Sequence, residues 1–149
     1  MIHLCISVTA VIFFINNCVQ IKSTIVPMVS LNNLMERVSI MTDINKQTFD
    51  KACQVAQQAI DKYKEEPLYC GFANIVIRPA RGKFVSWCKA NNIGDKHYHG
   101  GWNISYYDFV KGHKWSHVQS MDIKETAMIA VSKYLNEVGI NTTWQSRAD

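Results

Sequence analysis

Long apolar runs are scarce in this chain. The one block, Ile2–Ile15, is broken by Asn16-Asn17 and falls short of the roughly 20 apolar residues that a membrane span needs. Cysteines at metal or redox spacing are missing too. Cys5, Cys18, Cys53, Cys70 and Cys88 are widely separated with no C-x-x-C pair, which excludes a zinc knuckle or a thioredoxin-type centre. Cys53 and Cys88 fall inside apolar helical patterns, as free thiols do in a reducing compartment. Three prolines and seven glycines in 149 residues are too few for a collagen-like or low-complexity chain. Neither sign of charge dominates: 16 basic against 12 acidic residues leave +4 at pH 7. That balance permits an acidic partner but lies below the usual footprint of a dedicated nucleic-acid binder. Neither a Walker nor a dinucleotide-binding glycine pattern occurs, nor a G-x-S-x-G elbow.

What is present suits one small domain behind an apolar leader. Residues 1–40 form the leader, and three readings of it stay open. It is a misassigned start, with translation beginning at Met28, Met35 or Met41, or a weak anchor, or a signal peptide that lacks the basic n-region. Residues 41–149 form the domain. From Asp43, taken as a cap, Ile44, Ala52, Cys53, Ala56, Ala59, Ile60 and Tyr63 recur at helical steps. Cys70–Arg78 alternates as a strand, with Ala73, Ile75 and Ile77 on one face and Phe72, Asn74, Val76 and Arg78 on the other. Pro79 suits the first turn of a second helix carrying Phe84, Val85, Trp87 and Cys88, and Asn91-Asn92-Ile93-Gly94 ends it. Gly100-Gly101 opens a strand over Trp102–Phe109, and Lys114–Gln119 is a weaker strand candidate. Asp122–Glu125 has capping-box spacing for a helix bearing Ile123, Ala127, Ala130, Val131, Tyr134, Leu135 and Val138. Gly139 stops that helix, and Ile140–Gln145 is the last strand. The expected class is α+β, in the β-α-β-β-α-β order of a ferredoxin-like domain preceded by one helix.

Several segments recur together in this order: Cys70-Gly71-Phe72-Ala73, Arg78-Pro79-Ala80-Arg81-Gly82-Lys83-Phe84-Val85, Gly100-Gly101 with Ile104-Ser105, Gln119-Ser120 and Ser146-Arg147-Ala148-Asp149. As a set they resemble a group of small proteins encoded by tailed bacteriophages. The resemblance covers about half the chain and implies a phage gene product acting inside a bacterial cell, and the working expectation is an accessory protein in the host cytoplasm. It carries over no activity and no catalytic residue.

Charge is uneven along the domain. Residues 78–114 hold seven basic side chains against Asp95 and Asp108, interleaved with Trp87, Tyr98, Trp102, Tyr106, Tyr107 and Phe109. Cations for phosphates and flat rings for bases are what single-stranded nucleic acid requires, and Phe72 and Tyr106 on a sheet could supply the rings. Arg78, Arg81 and Lys83, at a strand-to-helix junction, are the candidate anion contacts, with Trp102 and Tyr106 as the aromatic ones. The expected partner is therefore nucleic acid or a nucleotide. One alternative is a protein–protein inhibitor of a host or defence protein, with exposed tyrosines and tryptophans as anchors. Another is a metal-dependent hydrolase using His97, His99, His113 or His117, although no coherent set of three or four ligands emerges. Nothing in the sequence calls for a cofactor, and no catalytic set can be named.

Overall fold

The structure is a computed structural model that describes residues 28–64 and 69–149. The apolar block Ile2–Ile15 lies outside the described residues. The chain divides into two units, Met1–Glu36 and Arg37–Asp149. Of the first, the described residues 28–36 are helical. The second holds the sheet and the core. Among the described residues no helix is long and apolar enough to cross a membrane.

Helix α1 runs Met28–Asp61 and buries Phe49, Ala52, Ala56 and Ile60, spaced three, four and four residues apart. Asp43 lies inside this helix rather than at its cap, and Ile44 is exposed. Strand β1, Gly71–Ile77, follows, then helix α2, Lys83–Ala90. Pro79 belongs to the connection and not to the helix, which starts after Gly82 at φ 115°, a backbone region that favours glycine. Asn91 caps α2 at its C-terminal end, as expected, and Asn92 and Gly94 turn the chain with positive φ.

Strand β2 is Asp95–Lys96, and β3 is Trp102–Ser105. The strand expected to continue to Phe109 stops at Ser105. The Asp108 carboxylate accepts from the Ser105 N–H at 3.0 Å and from its hydroxyl at 2.9 Å, and this opens helix α3, Tyr106–Val110. Lys114–Gln119 forms turns, not a strand. His113, Ser116 and Val118 each donate their N–H to a carbonyl three residues back, and only Ser120 bridges to Cys70. Helix α4, Met121–Glu137, starts from Ser120, so Asp122 sits in its first turn instead of capping it. Gly139 turns the chain at φ 84°, and β4 is Thr142–Ala148.

The four strands form one antiparallel sheet in the order β2-β3-β1-β4. The α+β class is as expected. From Gly71 onward the succession is strand, helix, strand, strand, helices, strand, but its second strand is Asp95–Lys96 and the Lys114–Gln119 strand is absent.

The helices cover one face of the sheet. Ala73, Ile75, Ile77 and Ile104 point into a core shared with Phe49, Ala52, Ala56 and Ile60 of α1, Phe84, Val85 and Cys88 of α2, and Ile123, Ala127, Met128, Val131 and Leu135 of α4. Each large apolar side chain buried here contributes about 1.5–3 kcal/mol. Ala130 and Tyr134 are only half-buried and Val138 is exposed, while Met128 and Ser132 take inward positions that a purely apolar stripe misses. Ser132 is accommodated because it exchanges hydrogen bonds with Thr142. The Thr142 hydroxyl donates to the Ser132 carbonyl at 3.1 Å, and Asn136 takes the Thr142 N–H at 2.9 Å and donates to its carbonyl at 3.0 Å. This polar clamp fixes the start of β4 against α4.

The opposite face takes no part in that core. Register puts Phe72 opposite Arg147, Asn74 opposite Gln145 and Ser105, and Val76 opposite Thr143 and Asn103. One end of this face is roofed by the turn after β2. A Cβ on Gly101 would come within 2.8 Å of Val76, and His97 meets Gln145 at 3.1 Å, so Val76 is fully buried. The other end, at Phe72, is open.

Candidate functional site

Two surfaces gather the chemistry. The first is a cleft of about 420 Å³ at the C-terminal end of β1. Arg78, Arg81 and Lys83 line it, with Asn45 and Thr48 of α1 and Asn141 before β4. Among the described residues no carboxylate lines it. It opens onto the start of α2, where Gly82 offers no side-chain cap and no acidic residue occupies the first turn. A helix start with no built-in acceptor carries a partial positive charge. Here two guanidinium groups and an ammonium group add to it. The three cations predicted as anion contacts are therefore brought together.

The two aromatic candidates are not brought to this surface as free rings. Trp102 lies on the helix-covered side of the sheet and packs against the core. Its indole N–H donates to the Ile93 carbonyl at 3.0 Å, and Lys89 sits 5.0 Å from its ring centroid. Tyr106, expected as a contact ring, is instead buried: it is 4% exposed, its hydroxyl donates to the Trp115 carbonyl at 2.9 Å, and burial pushes its phenol up to about 12. It is a core residue that pins the 111–119 turns, unavailable for stacking, because the chain turns helical at Ser105 and rotates it inward.

The second surface is the open end of the sheet. Phe72 is 51% exposed there, with the Lys124 ammonium 5.4 Å and the Arg147 guanidinium carbon 5.6 Å from its ring centroid. Lys124 donates to the Gly71 carbonyl at 2.5 Å, and desolvation lowers its pKa, opposed by Cys70 and Asp149. Sequence reasoning raised Phe72 but did not place Lys124 or Arg147 beside it. The signal for Arg147 was strand alternation carried two residues further, which sets it across from Phe72.

Of the four described histidines, only His97 and His99 lie side by side, their ring centroids 6.0 Å apart. His97 also meets Gln145, and Lys114, 2.9 Å from Asp61, lowers the pKa of that carboxyl, with a smaller contribution from His113 at 3.7 Å. Among the described residues no group of three metal-ligating side chains forms. Cys53 and Cys88 have their thiols pushed up to about 12 by burial, and Cys70 is exposed. No protein-family model, curated protein or solved structure matches the chain.

Proposed function

We propose that this protein binds a phosphate-bearing ligand, a nucleotide or a nucleic acid, through the cleft of Arg78, Arg81 and Lys83. The observation that carries the reading is the composition of the cleft: three cations and no carboxylate over an uncapped helix start. An anion there gains formal charge from the side chains and hydrogen-bond donors from the first turn of α2. The test is fluorescence anisotropy of the full chain with labelled single-stranded DNA, duplex DNA and RNA, over a series of salt concentrations, with free nucleotide as competitor. Binding should fall steeply with salt, and the double variant Arg81→Ala/Lys83→Ala should weaken it severalfold while lowering the salt slope by about one per cation removed. Both side chains are exposed, so the variant should keep the parent's melting temperature. If the double variant binds every probe as the parent does, the cleft is not the phosphate site.

A further inference from the structure

We infer that the open end of the sheet is a stacking subsite for an unpaired base, and that the strand it takes is single-stranded nucleic acid whose phosphates meet Lys124 and Arg147. The inference rests on the surroundings of Phe72 and stands or falls separately from the basic cleft. An exposed phenylalanine at the end of an inner strand, where only β4 pairs beside it, is a flat apolar surface presented to water, where burying the ring would be the more stable arrangement. Two cationic side chains approach it and leave it half exposed. Lys124 comes from the first turns of α4, and Arg147 stands directly across on β4.

Two cations within 5.4 and 5.6 Å of one exposed ring supply positive charge where the phosphates flanking a stacked base need it. Beside the ring is a cleft of about 510 Å³ lined by Tyr107, His117, Ser105, Ser116 and Gln119 as well as Lys124. That volume falls in the range of small-ligand sites, and its hydroxyls, amide and imidazole offer donors and acceptors to the edge of a base. Among the described residues no carboxylate lines it, and the Asp108 carboxylate is turned into the Ser105 cap. A duplex hides its base faces in its own stack, so a ring such as Phe72 can engage a base only where the strand is unpaired.

The experiment uses the full chain with fluorescein-labelled oligothymidylate, oligouridylate and a blunt DNA duplex of the same length. Phe72→Ala should weaken binding of the single strands by about 5- to 150-fold, the range that loss of one base–aromatic stack produces, and leave duplex binding unchanged. Phe72→Trp should retain binding, since any flat ring serves. A preference between the thymidylate and uridylate probes assigns DNA or RNA. Single-strand binding unchanged in Phe72→Ala, or lost equally for duplex and single strand, overturns the subsite and leaves the cleft reading intact. Loss in Phe72→Ala with no effect of Arg81→Ala/Lys83→Ala establishes the subsite and removes the cleft. No binding of either single strand at low salt overturns the subsite outright.

Discussion

Replacing Tyr106 by phenylalanine separates a core residue from a surface one, and its effect depends on pH in a way that can be worked out. The hydroxyl donates to the Trp115 carbonyl at 2.9 Å from a side chain 4% exposed. Removing it deletes one buried hydrogen bond and leaves a carbonyl without that partner, which costs about 1 kcal/mol at neutral pH. For a domain of this size that lowers the melting temperature by about 4 °C. Burial raises the phenol to about 12 in the folded protein, against 10.0 for an ordinary tyrosine. A raised acid favours its neutral form in the fold, so this stabilisation is intact below pH 10 and is lost as pH rises towards 12. The parent therefore gives up about 1 kcal/mol by pH 11 and about 3 kcal/mol in all, while Tyr106→Phe has no phenol to titrate and gives up none of it. The two stability curves should cross at about pH 11, with the variant the more stable above it. Urea unfolding followed by circular dichroism from pH 8 upward measures this, and other titrations cancel in the difference between the two proteins. Parallel curves would refute the buried placement. So would a variant of parental stability that binds oligonucleotides more weakly, since that is the behaviour of an exposed stacking ring.

Two further outcomes test the packing. Gly94 and Gly100 both hold positive φ, but a Cβ at Gly94 would collide with the Asn103 carbonyl whereas one at Gly100 meets open space. Gly100→Ala should cost about 1 kcal/mol and Gly94→Ala at least about 3 kcal/mol by chemical denaturation; equal costs would show that β3 does not pass so close to Gly94. With iodoacetamide at pH 8, peptide mapping should find Cys70 alkylated in the native protein while Cys53 and Cys88, their thiols held near 12, react only after unfolding. Labelling of native Cys88 at the rate of Cys70 would contradict its full burial.

Periodicity made β1, α2, the middle of α4 and the Gly139 turn legible, because a buried face leaves a repeat in the sequence whatever its partner is. The failures came where a polar group decided the structure. Ser105 and Asp108 begin a helix inside what alternation alone makes a strand, and their three-residue spacing was the available signal. Ser132 is buried because Thr142 lies opposite, a fact no local pattern contains. The site divides in the same way. Arg78, Arg81 and Lys83 are neighbours in sequence and remain so in space, whereas Lys124 and Arg147 reach Phe72 only through the pairing of β1 with β4.

That pairing also bears on how the chain acquires its structure. β1 is the first of the four strands to be made, yet it lies between two others, and its β4 partners come 65 to 77 residues later. Contacts of such sequence separation are expensive to close, which moves folding towards the slow end for domains of this size. In the interval Phe72–Ile77 is an uncharged segment of high β-propensity with both edges unsatisfied. Such a segment pairs readily with a copy of itself, so the refolding yield should drop as protein concentration rises.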